Sequence, residues 1–369
     1  MSKDFSYKFY KTTSEAWEAM YEAVLAADRV ILWETYIFVD NDETGKKFLD
    51  ALCLKAGQGV EVRMIIDAIG SLELSDVSLN RLRGCGVKVL RHNDPLRFSW
   101  KLREWLRRIW QRSHRKLLII DDEVAFVGGV NVEKSAVSWE DLQMRLTGKI
   151  LRQLSYRFAK DYVRSGGDRK EVRKWLRPKR AAFEKLKEKV KFILHYPVLF
   201  GHKSKVKSLY YKSLALAKES FTLVTPYYAP DMDFLRLITE AKNRGVKVNI
   251  IAPLRPDVWI FKMIGQVFLE ASVRAGATVY QLPFMNHAKA VGVDKKMGIV
   301  GSANLTPRSM FWNREPGVIF EEKEMVEELN GILDDWKSRA TVLGELKSGR
   351  KGVVKRFWSW LAHLLRDYV

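Results

Sequence analysis

Two stretches of the chain carry the same polar side chains in the same register. The first holds His114, Lys116, Asp121, Gly128, Gly129 and Asn131, and the second holds His287, Lys289, Asp294, Gly301, Ser302 and Asn304. Neither copy carries an insertion relative to the other. The chain has only 6 histidines, so two matched copies point to internal duplication rather than coincidence. Paired His and Lys suit phosphodiester chemistry. A phosphodiester's negative oxygens repel nucleophiles, so a catalyst must supply a nucleophile, cations on those oxygens and an acid for the leaving oxygen. One imidazole can attack phosphorus and form a phosphohistidine. The other can protonate the leaving alcohol and then deprotonate the acceptor. Lys116 and Lys289 would neutralise the phosphoryl oxygens, helped by the amides of Asn131 and Asn304. No carboxylate cluster suited to a divalent cation is evident, and neither metal nor cofactor is expected.

An attacking imidazole needs its second nitrogen held by an acceptor. Asp141 in Trp-Glu-Asp and Glu315 in Asn-Arg-Glu-Pro-Gly follow their histidines at nearly equal distance and are the candidate orienting carboxylates. Asp121 and Asp294 fall at strand ends, where they are expected to hold the local fold. His92, His195, His202 and His363 lack comparable surroundings and read as ordinary core residues.

Alternating elements must position these groups. Residues 14–28 read as a helix capped by Ser14, 29–38 as a strand, 43–57 as a helix, 60–70 as a strand, 79–86 as the end of a helix and 87–92 as a strand. The order recurs as helix 206–220, strand 221–230, helix 232–244, strand 246–253, a helix to 275 and strand 277–283. Apolar runs at 117–120 and 124–129, and at 290–293 and 297–302, place strands directly after each His-x-Lys. Such alternation predicts an α/β architecture with a largely parallel sheet, duplicated as a whole domain. The boundaries read as 1–160 for the first domain, 161–204 for a basic, solvated helical connector, 205–345 for the second domain and 346–369 for an amphipathic segment.

The chain's 369 residues allow two cored domains, and its net charge of +20 calls for a polyanionic partner, a membrane surface or nucleic acid. Its 2 cysteines suggest no disulfide framework and a reducing compartment. No signal-like run and no stretch of spanning length is present, so a membrane contact would be peripheral. In 96–113, Leu102, Trp105, Leu106, Ile109 and Trp110 share one helical face, with Arg103, Arg107, Arg108 and Arg112 around the rest. In 353–369, Val354, Phe357, Leu361, Leu364 and Leu365 do the same beside Lys355, Arg356 and Arg366. Both are candidate lipid-interface helices, and no nucleic-acid module is present.

The doubled motif resembles that of the phospholipase D superfamily, over most of both halves. Residues 34–38, 59–71, 114–131, 139–148 and 301–317 look most like bacterial cardiolipin synthases of the short type without N-terminal transmembrane helices. The resemblance implies two tandem α/β/α sandwich domains related by a pseudo-two-fold, with one active site shared at their interface. It assigns catalysis to His114, Lys116, Asp121, His287, Lys289 and Asp294, with Asn131, Ser302, Asn304 and Glu315 in support; Asp141 stays a candidate on its spacing alone. It implies phosphatidyl transfer, with phosphatidylglycerol as anionic substrate and cardiolipin and glycerol as products, and His114 as nucleophile. The alternatives are hydrolysis to phosphatidic acid or a phosphodiesterase or nuclease activity. The implied location is the cytoplasmic face of the bacterial inner membrane, reached through 353–369 and 96–113, with nucleic acid not expected as a partner.

Overall fold

The computed structural model describes residues 5–95, 105, 110–176, 189–195 and 204–344. The chain divides into two compact units, Met1–Phe192 and Ile193–Val369. Each unit is a mixed sheet between helices.

The first unit orders as β1 (Tyr7–Thr12), α1 (Thr13–Leu25), β2 (Val30–Thr35), α2 (Glu43–Gly57), β3 (Glu61–Asp67), α3 (Asp76–Gly84), β4 (Lys88–His92), β5 (Leu117–Ile120), β6 (Val124–Gly128), β7 (Glu140–Thr147) and α4 (Ile150–Arg164). Its seven-stranded sheet runs β1-β7-β6-β5-β2-β3-β4. Only β2, β3 and β4 are parallel, while β5, β6, β7 and β1 alternate. The expected largely parallel sheet is therefore mixed. Its parallel strands are linked by helices, whereas β5 and β6 close through a tight turn, which forces antiparallel pairing.

One face of this sheet packs on α1 to α3. Trp17, Met20 and Val24 of α1, Phe48 and Leu52 of α2, and Leu79 and Leu82 of α3 meet Ile31, Trp33, Leu118 and Ile120. Trp33 sits edge-on to Phe38 and Phe48, with ring centroids 5.4 and 5.1 Å away. Deleting one such buried ring costs about 3–5 kcal/mol. The cap of α1 is Thr12, whose hydroxyl accepts from Glu15 N–H at 3.3 Å, so the helix begins before the expected Ser14. The other face is covered by α4 through buried Leu151, Leu154 and Phe158.

In the described part of the expected connector, 161–176, the basic residues Arg169, Lys170, Arg173 and Lys174 are exposed while other side chains anchor the segment to the first unit. Trp175 is buried and its indole donates to both Asp122 carboxylate oxygens, at 2.9 and 3.0 Å, while Tyr162 OH donates to Glu171 at 2.6 Å. The rest of that segment beyond 189–195 and 204 lies outside the described residues, as does 346–369. Cys53 and Cys85 form a disulfide, against the expectation of free thiols. They sit on α2 and at the end of α3, neighbouring helices whose sequence separation gave no hint of contact.

The second sheet and its helices comprise β8 (Val190–His195), which spans the division between the units, α5 (Lys205–Leu216), β9 (Ser220–Val224), α6 (Met232–Asn243), β10 (Lys247–Pro253), α7 (Trp259–Ala275), β11 (Thr278–Leu282), β12 (Ala290–Val293), β13 (Met297–Gly301), β14 (Glu315–Phe320), α8 (Lys323–Ser338) and β15 (Thr341–Val342). The sheet runs β15-β11-β10-β9-β12-β13-β14-β8. Apart from β15 this is the order of the first sheet, with β8 in the place of β1. Helices α5 to α7 share one core with the sheet, and α8 covers the opposite face through Val326, Leu329 and Leu333.

Candidate active site

Each His-x-Lys lies in extended chain just before the central strand of its sheet, β5 or β12. Alternation puts His and Lys on one side, and each lysine folds back along its own chain. Lys116 Nζ donates to the His114 carbonyl at 3.3 Å, and Lys289 Nζ donates to the His287 carbonyl. All four side chains are buried. An aromatic ring from the loop after the first central strand packs against each imidazole. Tyr36 lies edge-on to His114 at 4.7 Å and takes the Lys116 ammonium over its face at 5.0 Å. Tyr227 lies edge-on to His287 at 6.2 Å. Neither tyrosine was among the sequence candidates. The signal was the polar end of an otherwise apolar strand, Glu34-Thr35-Tyr36.

The asparagines close the same end of each sheet. The Asn131 side-chain amide donates to Glu133 at 3.1 Å, and the Asn131 backbone carbonyl accepts from the Trp17 indole at 2.7 Å, which ties α1 to the motif. The Thr225 hydroxyl, which donates to the Tyr227 carbonyl at 3.0 Å, lies 3.4 Å from Asn304 Oδ1. Both asparagines are buried.

Asp141 and Glu315 occupy matching places. Gly129 N–H donates to Leu142 O at 3.1 Å and Ser302 N–H to Pro316 O at 3.1 Å, so each carboxylate precedes the residue that pairs with the motif's Gly or Ser. The Ser302 hydroxyl donates to Glu315, which also accepts from the Asn313 amide at 3.5 Å. In the first unit the same spot is Gly129, where a Cβ would run into the Asp141 carboxylate. Both carboxylates are buried.

Asp121 and Asp294 stand at the far ends of β5 and β12 from their histidines. Seven residues of extended chain separate His114 from Asp121, on the order of 20 Å. Asp121 accepts the backbone N–H groups of Asp28, Arg29 and Val30 at 2.7–2.8 Å. Asp294 accepts those of Lys218, Glu219 and Ser220 at 2.8–3.1 Å. Burial pushes the Asp121 carboxyl up, but the N–H donors of Asp28, Val30 and Arg29 and the Arg29 charge outweigh it and hold it below the usual carboxylate range. Asp294 is likewise pushed up by burial and pulled further down by Ser220, Glu219 and Lys218 N–H and by Lys296. Both occupy left-handed backbone in the hairpin turns, with φ of 55° and 52°. These groups anchor the central strands that carry the histidines.

In the first unit the residues flanking His114 enter a buried charge network. Arg115, buried, pairs with Asp161 and lies 3.5 Å from Glu34, which accepts from the Ser113 hydroxyl at 2.6 Å. Arg112 pairs with buried Asp67 at 3.3 Å and donates to Asn93 O at 3.0 Å. Desolvation drives the Asp67 carboxyl up despite Arg112 and three backbone donors. Arg112 is thus interior, not on the solvent face of a surface helix as expected for 96–113. Of that stretch, 96–104 and 106–109 lie outside the described residues. In the second unit Ala288 stands where the first has Arg115. Asn286 there accepts Ala288 N–H at 3.0 Å. His92 and His195 are buried as expected, and His92 Nδ1 lies 2.8 Å from the Ser165 hydroxyl. His202 and His363 lie outside the described residues.

Comparison with known proteins bears on both units. A family model described as "Cardiolipin synthase, PLD-like domain" matches residues 20–162 and 210–336. The cardiolipin synthase of Geobacillus thermodenitrificans is 30% identical over 339 residues, 89% of this chain and 65% of that protein. Cardiolipin synthase B of Salmonella typhimurium is 30% identical over 314 residues, 83% of this chain and 74% of its own length. The chain therefore spans just under two thirds of the first of these relatives. The crystal structure of a phosphatidylserine synthase from Haemophilus influenzae superposes with a TM-score of 0.73 at 13% identity, covering 99% of this chain and 97% of that one. That likeness establishes the fold: two tandem phospholipase D-like domains.

Proposed function

The chain belongs to the family of cardiolipin synthases with phospholipase D-like domains, and on that premise we propose that it transfers a phosphatidyl group between alcohols through a phosphohistidine. The favoured reaction joins two phosphatidylglycerols into cardiolipin and releases glycerol. One histidine, His114 in this reading, attacks the donor phosphorus, and the bond to the glycerol oxygen breaks. His287 gives that oxygen its proton. A hydroxyl of the second phosphatidylglycerol then returns a proton to His287 and attacks phosphorus, and the P–N bond breaks. Lys116 and Lys289 carry the charge of the phosphoryl oxygens, Asn131 and Asn304 bound the site, and Asp141 and Glu315 orient the imidazoles.

The observation that carries this reading is the doubled arrangement itself. Each unit buries one His and one Lys on the same side of the same strand position, with an aromatic ring beside the imidazole and a carboxylate at the same neighbouring place. Among the described residues no helix is long and apolar enough to cross a membrane. In this reading the chain works as a peripheral protein on the cytoplasmic face of the bacterial inner membrane.

Incubation with phosphatidylglycerol labelled in its headgroup tests the reaction. Cardiolipin with free labelled glycerol supports it, and phosphatidic acid alone would make the protein a hydrolase. Nicked DNA in a parallel incubation would make it a nuclease. His114→Ala and His287→Ala should each lower transfer at least about a thousandfold. Substantial activity in either variant removes the two-histidine scheme.

A further inference from the structure

The segment that joins β10 to α7 exposes large apolar side chains beside His287. Leu254 is 44% exposed, Val258 39% and Trp259 66%. Arg255 and Lys262 are exposed among them, and Ile260 and Met263 are half-buried. Water is a poor environment for this surface, and its cations give it a sign.

Three features tie the segment to the site. It follows β10, which runs parallel to β9, so it lies at the carboxyl end of the parallel strands, where open α/β sheets bind ligands. Its inner face is fixed to the catalytic side: Phe261 stacks on Tyr227 with centroids 4.2 Å apart, and Tyr227 is the ring against His287. The Tyr227 hydroxyl donates to Asp257 at 2.7 and 2.9 Å, which occupies the one acid of the stretch. The helix start is also unusual for this chain. Helices α1, α2, α3, α5 and α6 are capped by the side chains of Thr12, Asp42, Ser75, Ser204 and Asp231. Like α4 and α8, α7 has no side-chain cap, but here the cap position is an exposed apolar residue, Val258.

We propose that Leu254–Met263 is the face by which the chain docks on an anionic bilayer. Leu254, Val258 and Trp259 enter the headgroup boundary, and Arg255 and Lys262 meet lipid phosphates. The occupant follows from chemistry: an apolar ridge with a tryptophan at its crest and cations at its flanks matches an anionic lipid surface. The inference rests on the proposed lipid substrate, which keeps its acyl chains in the bilayer and must be met there. Through Phe261 and Tyr227 the docking face hands the headgroup to His287.

The test is co-sedimentation of the full chain with phosphatidylglycerol vesicles and with phosphatidylcholine vesicles. The double variant V258S/W259S should lose about tenfold or more of its partition onto phosphatidylglycerol vesicles. Leu216→Ser, which removes an exposed apolar side chain elsewhere in the unit, should leave partition unchanged. The variants' melting temperatures check that both stay folded. Unchanged binding by V258S/W259S, or an equal loss in Leu216→Ser, overturns the proposal. If the unaltered chain docks through this segment yet transfers no labelled lipid, the docking face stands and the catalytic reading falls.

Discussion

The Ser302 hydroxyl donates to the Glu315 carboxylate, whereas the matching residue of the first unit, Gly129, has no side chain to offer Asp141. The two halves therefore hold their carboxylates by different means. A hydrogen bond to a charged group is worth about 1.5–3 kcal/mol, which corresponds to roughly ten- to a hundredfold in rate if it is lost in the transition state. Ser302→Ala should lower kcat by that amount. Glu315→Gln, which keeps shape but not charge, should lower it by roughly 10²–10⁴. Steady-state transfer assays read both, and a Glu315→Gln enzyme of full activity would remove the orienting role. The converse change, Gly129→Ser, drives a side chain into Asp141 and should lower the melting temperature.

Asp121 gives the fold an acid-sensitive anchor. Its carboxyl is held below the ordinary value, so its folded pKa lies under that of the unfolded chain, which is about 4. Its stabilisation is therefore complete above about pH 5 and is lost as pH falls through the unfolded and then the folded value. Asp294, shifted the same way, adds to the same limb. Asp121→Asn keeps a residue that tolerates left-handed backbone but removes the charge. It should cost about 1–3 kcal/mol near neutrality and flatten the acid limb of stability against pH in denaturant titrations. An unchanged acid limb would mean other carboxylates set it.

Lys295 is an exposed lysine with φ of 52°, in the turn between β12 and β13. Asp294 and Lys295 both have positive φ, the backbone of a type I′ hairpin, for which Asp-Gly is the favoured pair. Lys295→Gly should thus raise stability by about 0.5–1 kcal/mol, seen as a higher denaturant midpoint with transfer activity unaltered.

Arg115 neutralises two interior acids, Glu34 and Asp161. Arg115→Ala leaves both without that charge and should destabilise the first unit by about 3–5 kcal/mol. The second unit already carries alanine at the matching position, Ala288, and Val224 at that of Glu34. The contrast makes Ala288→Arg informative too: it buries a cation with no acid at the place of Glu34, where Val224 stands, and should be at least as damaging. Denaturation curves of the two variants make the comparison.

Periodicity located the elements well where a short apolar run was bounded by charged residues. The strands at 117–120 and 290–293 fall on the expected residues. It failed for β1, β7, β8 and β14, which lie at or near sheet edges, where polar residues such as Lys8, Gln143 and Lys191 interrupt the apolar pattern. Taking the helix-linked strands β2 to β4 as typical of the whole made a mixed sheet read as largely parallel. The motif spacing pointed to both buried His–Lys pairs and to the matched Asp141 and Glu315. It could not reveal Glu34, Arg115 and Asp161 as one network, because they are scattered through the chain and only folding assembles them. Nor could it expose Trp259, whose neighbours read as an ordinary helix start. The contact between α2 and α3 that pairs Cys53 with Cys85 was hidden for the same reason.

Strand β8 begins at Val190 and pairs beside β14, as β1 does beside β7. The duplicated module thus opens with an edge strand, and its second copy starts well before α5. This bears on how the halves are handled at the bench. A fragment begun at Lys205 would leave the ladder groups of β14 open to other chains, inviting aggregation. One begun ahead of Val190 would carry its own border.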